Sequence, residues 1–112
     1  MAARWLRRRG YRIEARNYRC RAGELDIVAS RKGLLVFVEV KTRSGTGFGS
    51  AAEAVGGKKQ KRISRAADAY LLRFNGRNPA ARFDVLEVIG DNSEGWRVVH
   101  TPDAFRPGWE VS

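Results

Sequence analysis

Two acidic residues interrupt stretches that are otherwise apolar. Asp26 lies between Leu25 and Ile27, and Glu39 lies between Val38 and Val40, with Lys41 two residues on. Side chains two apart on a strand share a face, so Glu39 and Lys41 point one way, as do Glu24 and Asp26. Cross-strand neighbours and diagonals lie within roughly 4.5–8 Å. If a hairpin puts both acids on one face, their carboxylates converge on one ion. A turn centred on Arg31–Lys32 gives paired positions that sum to about 63 or 64 and sets Asp26 opposite Phe37 or Val38. Two carboxylates buried together are costly without compensation. A divalent cation is the simplest compensation. Mg²⁺ (or Mn²⁺) takes oxygen ligands, keeps water, and commonly binds through one or two carboxylates plus a substrate phosphate. Beside a phosphodiester it lowers the pKa of an attacking water and neutralises developing charge. Lys41 would then hold the scissile phosphate or orient the water. The plain alternative is a salt bridge from Asp26 or Glu39 to Lys41 or a nearby Arg.

The elements that must position these residues are legible as an α-β-β-β-α-β-β order. Residues 2–9 read as a helix ended by Gly10. Residues 11–18 alternate as a strand with one wet face, and 19–23 read as a turn. Residues 24–30 form a strand, and Arg31-Lys32-Gly33 a hairpin turn. Residues 34–41 are nearly all apolar and β-branched, which predicts a central strand buried on both faces. A loop follows from Thr42 to Gly49, with Gly45-Thr46-Gly47-Phe48-Gly49 expected at the mouth of the site. Ser50-Ala51-Ala52-Glu53 has the form of a capping box. From Lys58 to Phe74 the spacing of Ile63, Ala66, Ala67, Tyr70 and Phe74 makes one helical stripe. Residues 82–89 and 96–101 read as strands, the second stopped by Pro102. A tail from about 104 to 112 wraps the surface. The fold class is α/β, with helices packed on a sheet.

The charge is large and uneven. The chain has 112 residues with 22 Lys+Arg against 12 Asp+Glu, a net charge of +10. Residues 1–23 carry +7 and residues 61–82 carry +5, whereas 83–112 carry −4. Of the basic residues 17 are Arg, the side chain suited to bidentate phosphate contacts. The expected partner is a polyanion, nucleic acid and DNA above all. Arg43, Lys58, Lys59, Lys61, Arg62 and Arg65 are candidate phosphate contacts, a solvated helix face being the alternative for those from 58 to 65. No basic helix carries an apolar insertion stripe for a membrane surface. No apolar run reaches 18 residues and no secretory h-region opens the chain. Cys20 is alone, and no Cys/His cluster is set out for zinc. These features predict a single cytoplasmic domain. His100, Cys20 and the dispersed Trp5, Trp96 and Trp109 read as structural or bystanders.

The set Asp26 … Glu39-Val40-Lys41 resembles the PD-(D/E)XK signature of restriction-endonuclease-like nucleases. Gly10-Tyr11, Arg16-Asn17, Gly23-Glu24-Leu25-Asp26, residues 36–41 (VFVEVK), Phe48-Gly49, Lys58 or Lys59, and Arg82-Phe83-Asp84-Val85 look like the small bacterial YraN-like family. That family is similar to archaeal Holliday-junction resolvases. The resemblance implies a restriction-endonuclease-like mixed sheet of four or five strands. It also implies Mg²⁺ ligation by Asp26, Glu39 and the Val40 carbonyl, with Lys41 in catalysis and Glu24 as an outer partner of the metal. Family members usually begin further upstream, with a Gly-Glu pair on the first helix. No residue of this sequence takes the place of that Glu.

The expected function is a metal-dependent nuclease-fold protein that binds DNA and hydrolyses phosphodiester bonds in branched or structured DNA. The alternatives are a non-catalytic nucleic-acid-binding module of the same fold and a subunit whose site a partner completes. A sphere of this length has a radius of gyration of about 13 Å and spans about ten base pairs. A four-armed substrate would therefore require a homodimer.

Overall fold

A computed structural model of the chain describes residues 1–44, 55–91 and 95–106. Helix α1 (Ala2–Arg8) leads into strands β1 (Arg12–Cys20), β2 (Gly23–Arg31) and β3 (Leu34–Ser44). Helix α2 (Gly57–Leu71) runs into a 3-10 turn at Leu72–Phe74, and β4 (Ala80–Asp91) and β5 (Gly95–Phe105) complete the chain. The five strands lie in the order β1-β2-β3-β4-β5. β2 pairs antiparallel with both β1 and β3, β3 and β4 are parallel, and β4 and β5 are antiparallel. A parallel pair needs a crossover connection, and α2 lies within it. This is the mixed α/β architecture and element order that the sequence predicts. The radius of gyration is 14.2 Å and the extents are 49 × 29 × 27 Å, so the molecule is longer than the sphere assumed from chain length.

Several boundaries move, β4 growing from 82–89 to Ala80–Asp91 among them. β3 continues past Lys41 to Ser44, because its parallel ladder with β4 runs on to Ser44–Gly90. The first hairpin turn shortens to Arg21–Ala22, since Cys20 pairs with Gly23. β5 passes through Pro102 to Phe105. β5 is an edge strand, where a missing N–H is tolerated, particularly at a bulge. The ladder supplies one: Phe83 faces Phe105 but Val85 faces Thr101, so three residues of β5 stand against Asp84. Residues 45–54 and 107–112, which include the glycine loop, the capping-box residues and Trp109, lie outside the described set.

The sheet is covered on both faces. On one face α2 buries Ile63, Ala66, Ala67 and Tyr70 against Leu25, Val28, Leu35, Phe37, Phe83 and Val85, with Phe74 packed at the margin. This is the stripe read from the sequence. On the other face α1 buries Ala3 and Leu6 against Ile27, Ala29, Val36, Val38 and Leu86. β3 alternates between the two cores, as a central strand must.

The α1 face also holds a buried charge. Asp84 is fully buried and accepts hydrogen bonds from Arg82 Nε (2.8 Å) and Nη2 (3.1 Å) and from the Asp103 amide (2.9 Å). His100 Nε2 lies 2.7 Å from its second oxygen. Arg82 Nη2 also donates to the Tyr11 hydroxyl at 3.1 Å, and the His100 ring meets Trp5 and Tyr11 edge-on. Burial pushes the Asp84 carboxyl up, but the bonds from His100, Arg82 and Asp103 outweigh it and hold it below the usual range. A depressed native pKa adds stability above the unfolded value, about 3.9, that is lost as pH falls through the native value. Asp84→Ala strands the Arg82 guanidinium and is expected to cost about 3–5 kcal/mol in urea unfolding. The stability gap between wild type and Asp84→Asn is expected to narrow below about pH 4.

Candidate metal and phosphate site

The hairpin that carries the two acids is set by its turn. Lys32 and Gly33 have φ of 50° and 79°, both left-handed, as a two-residue type I′ turn requires. Arg31 therefore pairs with Leu34 and Ile27 with Val38, a register one or two residues beyond that read from the sequence. The described ladder ends at Ile27–Val38. Extended by one step, it would put Asp26 across from Glu39, where the sequence reading placed Asp26 opposite Phe37 or Val38. Instead of a further backbone rung, Asp26 Oδ2 accepts the Val40 N–H at 2.9 Å. The register is thus corrected in the direction that brings the carboxylates closer.

Glu39 is 4 % exposed. It shares the α2 face with Phe37, and Lys41 and Arg43 follow at two-residue spacing on that face. Lys59, in the first turn of α2, reaches down to Glu39, with its Nζ 2.5 Å from Oε1. The helix is seated close to β2 here, since a Cβ on Gly23 would lie 3.2 Å from the Arg62 carbonyl oxygen. Burial pushes the Glu39 carboxyl up, the Lys59 ammonium pulls it down, and the Asp26 charge adds to the rise. Lys41 is lowered by its contact with Lys59 and by desolvation. Desolvation opposes the charge on Lys59, but its bonds to Glu39 and Lys41 more than compensate and raise it. The site is a buried carboxylate, Glu39, beside the half-buried Asp26, with two ammonium groups against them.

The other residues singled out by sequence divide. Arg43 is not free for phosphate: its Nε is 2.9 Å from Glu87 Oε2, and both side chains are mostly buried. Glu24 is exposed and lies 3.7 Å from Arg19 Nε. Among the described residues no three His, Cys, Asp or Glu side chains gather as a metal cluster, so Glu24 does not join Asp26 and Glu39. Lys58, Lys61, Arg62 and Arg65 are exposed. Lys58, Lys59 and Arg62 line a cleft of about 670 Å³ with Arg19 and Glu24. Lys59 belongs to this cleft and to the carboxylate pair together, which its reading as a surface phosphate contact missed. The sequence reading gives Glu87 no role and quotes Asp84 only within the Arg82-Phe83-Asp84-Val85 stretch of the family resemblance. Their signal was the one that revealed Asp26 and Glu39, an acid set in an apolar strand.

Lys59→Ala leaves a buried carboxylate without its counter-charge and is expected to cost about 1–3 kcal/mol in metal-free buffer. Glu39→Gln should cost less, because Lys59 is half exposed and can turn to water. Without Lys59 the native Glu39 pKa rises further. A raised carboxylate pKa carries no penalty below the unfolded value of about 4.3, and the penalty grows as pH rises through the native value. Urea titrations of Lys59→Ala at pH 4 and pH 8 should show the deficit mainly at pH 8.

Among the described residues no helix is long and apolar enough to cross a membrane. The sequence model of an uncharacterised protein family, UPF0102, matches residues 1–88. A UPF0102 protein of Symbiobacterium thermophilum is 53% identical over 87 residues, covering 78% of this chain and 74% of that protein. One of Frankia casuarinae is 50% identical over 105 residues, covering 94% and 89%. One of Syntrophotalea carbinolica is 49% identical over 112 residues, covering 97% and 89%.

Proposed function

The chain belongs to the uncharacterised protein family UPF0102, and from that premise we propose that it is a metal-dependent nuclease-fold protein that binds DNA and hydrolyses its phosphodiester bonds. The observation that carries this reading is the meeting of Asp26 and Glu39 at the end of the β2–β3 ladder, with Lys41 on the Glu39 face. The donor set suits a hard cation: two carboxylates and the Val40 carbonyl offer oxygen only, the chemistry of Mg²⁺ or Mn²⁺. A bound cation there would supply an acidified water and charge neutralisation at the phosphorus.

The chain's own residues do the rest. Asp26 is aimed by the Val40 amide, so its carboxylate is fixed before any ligand arrives. Glu39 is held in a largely dry position, where its charge acts at full strength. Lys41 is the cation nearest that pair on β3 and holds the scissile phosphate. Lys59 compensates Glu39 in the metal-free protein; with a cation held by Asp26 and Glu39, it would be free to face the phosphate backbone. Lys58, Lys61, Arg62 and Arg65 grip the flanking phosphates from the exposed face of α2. Binding of that kind weakens steeply with salt as counterions are released.

One observation favours a second reading. The Lys59–Glu39 pair closes the charge balance without a metal, which would serve a nucleic-acid-binding module that does no hydrolysis. Cleavage assays separate the two. Purified protein with Mg²⁺ or Mn²⁺ is expected to cut at least one of linear, nicked or four-way DNA. Asp26→Ala and Glu39→Ala should abolish the activity, and Lys41→Met should lower it by about 100-fold or more. Cleavage that survives loss of either acid would overturn the mechanism.

A further inference from the structure

The α1 face carries a second cleft, of about 510 Å³, whose lining includes Arg16, Asn17, Asp26, Thr42 and Trp96. Its size is that of a small-molecule site. Asp26 therefore borders this cleft while its partner Glu39 is engaged with Lys59 on the α2 face. The cleft and the carboxylate pair meet at one residue.

Trp96 is the unusual member. Its side chain stands on edge strand β5, and the residue is 58 % exposed. β4 pairs Gly90 with Trp96, and a Cβ on Gly90 would overlap the indole ring. The ring thus lies flat on the bare backbone of Gly90. That contact fixes its orientation and leaves the other face open. Trp5 offers a contrast, since its ring is covered by the Arg9 guanidinium and the His100 edge. Across the cleft Arg16 and Asn17 are exposed, and among the described residues no carboxylate pairs with Arg16. A flat, preoriented aromatic face on one wall of the cleft, with the exposed Arg16 guanidinium on the other, suits a planar heterocycle attached to a phosphate.

The geometry points to a nucleobase shelf: Trp96 stacks an unpaired base of the strand whose phosphate lies at Asp26 and Glu39, and Arg16 and Asn17 contact the same nucleotide. This rests on the nucleic-acid reading above and narrows its substrate to one with an unpaired nucleotide beside the scissile bond. A base inside an intact duplex is stacked on both sides and has no free face for the ring. Base–aromatic stacking tolerates sequence, because every base has a π-face. The shelf therefore selects unpaired structure and not sequence.

The test is fluorescence anisotropy in EDTA, where binding is separated from hydrolysis, with a labelled single strand, a forked duplex and a fully paired duplex. Trp96→Ala should weaken binding to the single strand and the fork about 10- to 100-fold. It should leave the paired duplex within about two-fold, and Trp96→Phe should retain most of the affinity. An equal effect on all three DNAs, or none on any, overturns the shelf. So does a Trp96→Phe variant as weak as Trp96→Ala. Selective loss on unpaired DNA in a protein that never cleaves upholds the shelf and removes the nuclease. Cleavage untouched by Trp96→Ala, with unchanged affinities, does the reverse. Wild-type protein that binds none of the DNAs removes both.

Discussion

The two carboxylates meet only if the β2–β3 hairpin adopts one register. Side chains on a strand alternate with a period of two, so a slip of one residue would turn Glu39 away from α2 and Lys59. The left-handed pair Lys32-Gly33 closes the turn tightly and leaves one register open. From there the antiparallel ladder counts back to Ile27–Val38 and stops. At the stop, Asp26 takes the Val40 amide and lies beside Glu39. The parallel pairing of β3 with β4 then places Lys41 and Arg43 beside Glu87 and Ile89. The close approach of α2 to β2 at Gly23 lets Lys59 reach in. Each later feature of the site depends on that register.

The same sheet buries acids in two ways, and the contrast explains their roles. Asp84 is saturated by Arg82, His100 and the Asp103 amide, and its carboxyl is held low. It ties β4 to the bulge of β5 and, through Arg82, to Tyr11. Such a network has nothing left to offer a ligand. Glu39 is compensated by one lysine from a helix, and its carboxyl is held high by burial and by Asp26. A counter-charge on a flexible four-carbon stem can move away, whereas a bidentate guanidinium holds its geometry. Lys59 lines the basic cleft beside α2 and Asp26 lines the cleft of the α1 face, so the pair stands between the two.

Much of this was legible in the sequence. The element order, the two-sided β3, the α2 stripe and the acid–apolar–Lys triplet follow from periodicities of two and 3.6, which burial enforces. Three scattered tryptophans show no pattern in the sequence; the meaning of Trp96 depends on Gly90 across the ladder. Charge counts carry no direction, so they do not separate Lys59 and Arg43 from the surface cations. Their partners, Glu39 and Glu87, come from the seating of α2 and from β4. Pro102 reads as a stop in the sequence because an edge strand and its bulge are properties of the whole sheet. The register missed by one or two residues because Arg31, Lys32 and Gly33 offer more than one two-residue turn.

The central claim is that Asp26 and Glu39 together hold a divalent cation at the end of the hairpin ladder. Mn²⁺ titration of the intact protein, followed by the loss of the free-ion electron paramagnetic resonance signal, tests it without reference to any substrate. One Mn²⁺ per chain at millimolar concentration or below, lost in Asp26→Asn and in Glu39→Gln, is the predicted result. No uptake at millimolar Mn²⁺, or uptake unchanged by both substitutions, would contradict it.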